Sequence, residues 1–397
     1  MSNDKLEFGR LASNGSQSLL LRTIRDYSPV SRSSISRILG MNAPAVTRTA
    51  TELLNDKLIL EKPLSDTSGQ RRKRGLVLNP SAAHCLGLLI GPTEIEGCIV
   101  DCAYRTVVRK QLEGAFDAMK PRQVVQAAVS FVNRLRAQAP GDNKRCLGLA
   151  AVAPGLTDIA GRRCLACSTM PHLVGVQLAD MLEKNLNLPV FLTTGSQAHL
   201  RAVERLDINA PANNMLFVFY SQGIGASLKM QGAYIRGKDN LAGEIGHMPV
   251  TDEPIPCGCG GTGCLEALAS KAALARLARQ AVREFAGSSL AALSEIKGDD
   301  VLKAAADGDR LGVRLTRDAF AHLARAVAGI AVCMAPDHIV FGHSISAAGE
   351  EMFQWLCAEI RSRLSGQLRD GLSISVSTIN SHISSMGAAF MGLDLAM

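Results

Sequence analysis

One histidine and three cysteines fall within eighteen positions of the stretch LAGEIGHMPVTDEPIPCGCGGTGCLE, residues 241–266. His247, Cys257, Cys259 and Cys264 offer one nitrogen and three sulfurs, the donor set of a closed, tetrahedral, structural Zn²⁺ site. The glycines among them, Gly258, Gly260, Gly261 and Gly263, let a loop wrap tightly round an ion. The competing interpretation is reduced cysteines packed as small apolar side chains, and the spacing favours metal. Two carboxylates, Glu244 and Glu266, bracket the set. A second pair, Cys164-x-x-Cys167, has redox or metal spacing but no further ligand near it.

The chain that must position these groups has 397 residues, enough for two or three cores. Its 47% hydrophobic and 20% charged residues are those of a globular protein. No apolar run reaches the ~18 residues of a membrane span, and the first residues carry no secretory pattern. Eleven cysteines, an odd number, point to a reducing cytoplasm rather than a disulfide framework. Residues 1–80 hold 13 Lys/Arg against 7 Asp/Glu, so most of the net charge of +7 sits in a small basic head. That asymmetry fits a polyanionic partner for the head alone, although a merely soluble basic terminus would give it too.

Within the head, 17–27 reads as a one-faced helix with Leu19, Leu20, Ile24 and Tyr27 apolar, ended by Pro29. A second helix over 31–40 starts at a Ser cap and stops at Gly40. A third, over 41–59, has Asn42 as cap, Pro44 in its first turn, and Val46, Ala50, Leu53 and Leu54 on its buried face. Helix, tight turn, helix with small and polar residues opening the second is the helix-turn-helix pattern. Asn42, Thr47 and Arg48 would then reach base edges. Two β-like stretches, Leu58–Leu60 and Leu76–Leu78, flank a loop carrying Arg71, Arg72 and Lys73, a basic wing suited to phosphates. The alternative is a winged helix that binds protein.

From residue 81 onward short apolar strands alternate with helices, as in an α/β domain. Strands are expected at 85–91, 96–101, 146–154, 189–194, 214–221 and 338–342, and helices over 122–138, 175–186, 196–206, 264–283, 316–334 and 347–364. Strand, glycine turn, strand occurs at 86–100 and again at 216–229.

Gly243–His247 reads GEIGH, Cys257–Glu266 reads CGCGGTGCLE, and Gln222–Ala226 reads QGIGA. With these motifs behind a winged head, the chain resembles the ROK family (repressors, open reading frames and sugar kinases) in its repressor branch, over nearly its whole length. The resemblance implies a winged helix-turn-helix (1–80) followed by a two-lobed, actin-like sugar-kinase (ribonuclease H-like) α/β body (81–397). Lobe one would take about 81–205 plus the C-terminal helix, and lobe two about 206–380. It implies the same zinc ligands. It also implies that Glu244, His247 and Glu266 bond sugar hydroxyls, with Thr194 at a neighbouring sugar position. Carboxylates accept only, which suits a polyol. His247 would serve metal and sugar through different ring nitrogens. Retention of these residues merely to brace the zinc loop is the alternative.

Other family positions have changed. The kinase motif ENDAN aligns with Thr193-Thr194-Gly195-Ser196-Gln197, so the general-base Asp has become Gly195 and a sugar-binding Asn has become Thr194. Loss of that base alone removes about 10² to 10⁴ in rate. In the first phosphate motif Leu89 replaces an Asp and Pro92 a Gly, and Pro has no N–H to give a phosphate. Gly342-His343-Ser344 stands where consecutive glycines are usual, and Thr169-Met170-Pro171 where Asn-Leu-Pro is common. No catalytic residue is therefore expected.

The resulting expectation is a cytoplasmic repressor of carbohydrate-related genes, a homodimer or dimer of dimers on double-stranded operator DNA. A sugar or sugar derivative would bind between the lobes as effector, and one structural zinc would sit in each chain. A sugar kinase with an unusual base, and a regulator answering to a protein partner, are the alternatives.

Overall fold

The head begins with three capped helices. Asn14 accepts the Gln17 N–H at 3.0 Å to open α1 (Gly15–Tyr27), and Ser31 accepts the Ser34 N–H to open α2 (Arg32–Leu39). Gly40, at φ 65°, ends α2, and Asn42 accepts the Ala45 N–H at 2.8 Å to open α3 (Ala43–Asn55). Leu20, Leu21, Ile24, Ile35, Val46, Ala50 and Leu53 are buried, and each of them except Ala50 adds about 1.5–3 kcal/mol of apolar burial. Leu19 and Tyr27, expected on the inner face of α1, are instead exposed, because the helix turns Leu20, Leu21 and Ile24 inward. The hairpin β1 (Ile59–Pro63) and β2 (Arg74–Leu78) completes the head, and Val30 bridges to Leu76.

This computed structural model describes residues 8–64, 74–139, 145–167, 169–207, 213–379 and 383–397. They divide into one unit of 1–201 with 384–397, and another of 202–383.

The first unit adds β3 (His84–Ile90), β4 (Glu94–Asp101), β5 (Thr106–Glu113), α4 (Pro121–Arg136), β6 (Cys146–Val152), β7 (Leu156–Thr157), β8 (Cys164–Ala166), α5 (Leu178–Leu186), β9 (Val190–Thr193) and the start of α6 (Gly195–Leu206). Its sheet runs β5-β4-β3-β6-β9, with antiparallel pairs among the first three strands and parallel pairs after. Leucines and valines of α4 and α5 fill one face of the sheet.

The second unit holds β10 (Met215–Tyr220), β11 (Ile224–Met230), β12 (Ala233–Ile235), α7 (Leu265–Ala269), α8 (Lys271–Ala281), α9 (Gly298–Ala306), α10 (Arg310–Met334), β13 (His338–Phe341), α11 (Glu350–Ser362), α12 (Gly366–Asp370) and β14 (Ser373–Val376). Its sheet order, β12-β11-β10-β13-β14, repeats the strand sequence and polarity of the first. The two strand–turn–strand segments noticed in the sequence are β3–β4 and β10–β11, the matching hairpins of this repeat. The expected helix over 264–283 is divided, because Ser270 ends α7 and caps α8 through the Ala273 N–H. No helix among the described residues is long and apolar enough to cross a membrane.

The last helix, α13 (Ile383–Ala396), returns to the first unit. A Cβ on Gly387 would lie 1.8 Å from the Ala198 carbonyl oxygen, so only glycine permits α13 to approach α6 this closely.

Candidate functional site

The opening cluster assembles in the second unit. Ile245 is buried in the apolar core and anchors a short turn, 245–247, that ends at His247. The Leu265 N–H donates to the Met248 carbonyl and the Val250 N–H to the Gly263 carbonyl, both at 2.9 Å, which brings Cys264 beneath the histidine. A tight knuckle carries Cys257 and Cys259: the Gly260 N–H donates to the Cys257 carbonyl at 3.0 Å, and the Cys257 N–H to the Gly261 carbonyl at 2.9 Å. Gly263 has φ 67°, and a Cβ there would meet the Thr251 carbonyl oxygen at 2.3 Å. Arg325 of α10 donates to the Val250 carbonyl at 3.1 Å and pins the loop from outside.

The four ligand atoms lie within 4.8 Å of one another. The Cys257 Sγ is 3.7 Å from His247 Nδ1, and the Cys259 and Cys264 sulfurs are 3.7 Å apart. A tetrahedron with Zn–S of ~2.3 Å and Zn–N of ~2.0 Å has edges of about 3.5–3.8 Å. The donor set and its spacing therefore fit a four-coordinate metal ion.

The two bracketing glutamates occupy different surroundings. Glu244 Oε2 is 3.8 Å from His247 Nε2, so the imidazole turns Nδ1 to the cysteines and its other nitrogen to the carboxylate. Burial pushes the Glu244 carboxyl up, His247 partly offsets this, and the like charge of Glu266 adds to it. Glu266, in the first turn of α7, accepts the Ile224 N–H at 3.0 Å and thereby ties the QGIGA turn to the cluster. Sequence inspection missed this bond; its only trace was the shared glycine-rich character of the two segments.

Thr194 lies in the first unit and is buried, its hydroxyl 3.4 Å from both the Ser196 hydroxyl and the Gln197 N–H at the start of α6. Gly195 presents no side chain there. Leu89 pairs in register with Glu96 across β3–β4. Pro92 turns its carbonyl to the Phe116 N–H at 2.8 Å and the Asp117 N–H at 3.1 Å. Glu96 is a buried carboxyl that sequence reading passed over: it accepts the Ser385 hydroxyl at 2.5 Å, and burial pushes it up. Its signal was an acid in the interior of a strand whose other inner residues, Ile95, Cys98, Ile99 and Val100, are apolar. Glu204, the nearest acid after position 195, is held by Lys229 and the Tyr234 hydroxyl.

In the head, Asn42, Thr47 and Arg48 are exposed along the N-terminal half of α3. Asn42 uses its side-chain oxygen as the helix cap, which leaves the amide nitrogen as its outward donor. Arg48 lines a concavity with Asn14, Ser16, Ser18 and Glu52. Arg71, Arg72 and Lys73 lie outside the described residues. At the wing base, Glu61 pairs with Arg32 at 2.8 Å and Arg74 at 3.0 Å, fixing the hairpin against α2.

A winged helix-turn-helix in front of a duplicated, sugar-kinase-type α/β body with a His/Cys₃ cluster defines the class: an actin-like ROK body bearing a DNA-reading type of head. The chain belongs to the ROK family, whose model matches residues 85–394. It is 23% identical over 379 residues to the xylose repressor of Bacillus subtilis (strain 168), covering 95% of this chain and 94% of that one. It is 24% identical over 371 residues to the DNA-binding transcriptional repressor Mlc of Escherichia coli (strain K12), covering 93% and 91%. Among solved structures it resembles a ROK family transcriptional regulator described as a homolog of the E. coli MLC protein. That match has a TM-score of 0.82 and 22% identity over 96% of each chain.

Proposed function

We propose that the chain is a DNA-binding transcriptional repressor of carbohydrate-related genes, with a zinc-braced, kinase-like body that no longer phosphorylates sugar. The observation that carries this reading is the pairing of an exposed, capped recognition helix with a kinase-type turn that presents Gly195 where a base is required. Leu89 and Pro92 support the loss of catalysis, and Glu204 is held by a lysine and a tyrosine instead of serving as a substitute base.

Zn²⁺ is the ion of choice for one imidazole and three thiolates. Bound by His247, Cys257, Cys259 and Cys264, it would fix the loop as a structural ion. Glu244, His247 and Glu266 are the proposed contacts for a polyhydroxylated effector; Thr194, in the first unit, keeps only the sugar-position role that the family resemblance implies. Such a ligand alters DNA binding only to the extent that it prefers one conformation of the protein. A homodimer in the cytoplasm would place two heads on a roughly palindromic operator, with Asn42, Thr47 and Arg48 at the bases and Arg71, Arg72 and Lys73 on phosphates.

The test combines three measurements on zinc-loaded protein. Selection from a random duplex pool should yield an inverted repeat. An ATP-dependent assay across hexoses should give no phosphorylation above background. Thermal unfolding against sugars, amino sugars, polyols and their phosphates should show one stabilising ligand, by RT ln(1 + [L]/Kd), whose effect is lost in Glu244→Ala. Turnover of a sugar would overturn the regulator reading of the body, and failure to enrich any duplex would overturn that of the head.

A further inference from the structure

The three cysteines of the knuckle are held unequally. Cys264 is only 3% exposed, and the Leu265 N–H on the Met248 carbonyl and a backbone bridge to Pro249 fix its place. Cys259 is exposed, at the tip of the turn that the Cys257 N–H closes onto the Gly261 carbonyl. Gly258 and Gly260 flank it, and a Cβ on either would meet no atom within 4 Å, so small molecules reach this tip without obstruction. The Cys259 and Cys264 sulfurs are nonetheless in contact, 3.7 Å apart, while Cys257 Sγ lies against His247 Nδ1 at the same distance. A disulfide needs about 2.05 Å between its sulfurs. The glycine-flanked tip at Cys259 can close that gap while Cys264 stays in place.

We propose that Cys259 and Cys264 form a peroxide-driven switch, in which Cys259 is the sulfur oxidised and Cys264 the one that resolves it to a disulfide, opening the metal cluster. The inference rests on the zinc reading above and adds regulation to that same site. A disulfide removes two of the four donors. His247 and Cys257 remain, half of a closed tetrahedral set. Cys264 directly precedes α7, whose Glu266 accepts the Ile224 N–H at 3.0 Å, and His247 carries Glu244 beside it at 3.8 Å. Opening the cluster therefore unsettles all three proposed effector contacts together.

The chemistry balances with hydrogen peroxide as the oxidant. The Cys259 thiolate attacks one peroxide oxygen, the O–O bond breaks, and hydroxide leaves as a sulfenic acid forms. The Cys264 thiolate then attacks the Cys259 sulfur, the S–O bond breaks, and a second hydroxide leaves. Two sulfurs are oxidised and the two peroxide oxygens are reduced. Cysteines that serve as metal ligands are thiolates, so neither sulfur has a proton to lose first.

The experiment starts from full-length protein whose zinc content has been measured. It is treated with hydrogen peroxide beside a chromogenic zinc chelator, alkylated with iodoacetamide and digested with trypsin. Cleavage after Lys238 and Lys271 gives one peptide, 239–271, that holds all three cluster cysteines. This peptide should lose two hydrogens and carry a single alkylated cysteine. It should fragment between Cys257 and Cys259 but not between Cys259 and Cys264. One zinc should be released per disulfide, and dithiothreitol should reverse both changes. Cys333→Ser, which removes an exposed thiol on α10 outside the cluster, should leave both yields unaltered. Less than one zinc per untreated chain would overturn the metal reading and the switch with it. A full zinc load with 239–271 unlinked, or with Cys257 in the disulfide, would overturn the switch alone. The map is read on the parent protein, so the decision does not depend on a substituted chain that folds.

Discussion

Arg25 of α1 and Asp394 of α13 form an ion pair at 2.7 Å, joining the head to the last helix of the chain. The same carboxylate accepts the Tyr104 hydroxyl at 2.5 Å and an Arg201 nitrogen at 2.7 Å. Burial alone would push the Asp394 carboxyl up; Arg201, Arg25 and Tyr104 outweigh it and hold the group below its usual range. Beside this node the Leu11 N–H donates to the Ala396 carbonyl at 2.7 Å, and the Ser18 hydroxyl donates to the Met397 carbonyl. The head is thus docked through named contacts on α13 as well as by its chain connection.

Arg25→Met should loosen that docking. Both partners of the pair are mostly covered, and removing one should destabilise the docked head by about 1–2 kcal/mol, between the worth of a surface pair and a fully buried one. Amide exchange across α1 should speed several-fold, with α10 in the second unit unaffected. Unchanged exchange in α1 would show that the Leu11 and Ser18 contacts suffice without the ion pair.

Metal removal should act on the second unit. Zinc binding requires deprotonated cysteines and neutral His247, so chelation at mildly acidic pH should strip the ion and lower the unfolding temperature. Cys257→Ser should bind less than one zinc per chain and unfold at a lower temperature without chelator. Equal unfolding temperatures for loaded and stripped protein would mean that the knuckle is held by its backbone bonds alone.

The gathering of His247, Cys257, Cys259 and Cys264 was legible from sequence because these residues sit close along the chain and glycines fix the turns between them. The helix-turn-helix was legible because caps and stops are local signals: Ser31, Gly40 and Asn42 all act as their residue types imply. The inner face of α1 was misread at Leu19 and Tyr27, because several registers satisfy one helical period and only packing selects among them. Asp394 was invisible for a different reason. Its partners Arg25, Tyr104 and Arg201 are distant along the chain, and no spacing rule links them. Edge strand β5 was also missed, since Thr106–Glu113 is largely solvated and lacks an apolar run.

His199 gives a pH dependence. Its Nδ1 lies 2.7 Å from the Gly195 carbonyl oxygen, and burial pushes its pKa down from 6.5 to about 4, partly offset by that carbonyl. The unfolded chain takes up a proton below about 6.5 while the folded protein resists until about 4, so stability falls as pH drops through that window. The loss should reach a few kcal/mol at most. Urea midpoints at pH 7.5 and 5, compared between the parent and His199→Gln under the same zinc load, isolate the effect. Equal pH slopes in the two proteins would show that His199 titrates normally in the fold.

Arg48→Ala tests the recognition helix. Arg48 is exposed on α3 one turn from its N-terminus, where a side chain entering the major groove meets base edges. On a duplex selected by the parent protein its removal should weaken binding by about 1–3 kcal/mol and relax the preference at one base position per half-site. Binding to random duplex should change little. Neutralising Arg71, Arg72 and Lys73 should instead weaken both duplexes alike and flatten the salt dependence by about one unit per lost phosphate contact. Asn42→Ala combines two effects, since loss of the cap alone destabilises α3 by about 1 kcal/mol. Asn42→Ser retains a capping oxygen but removes the outward amide. Weaker binding by Asn42→Ser at unchanged thermal stability would therefore assign Asn42 a DNA contact, whereas full binding would confine it to its cap.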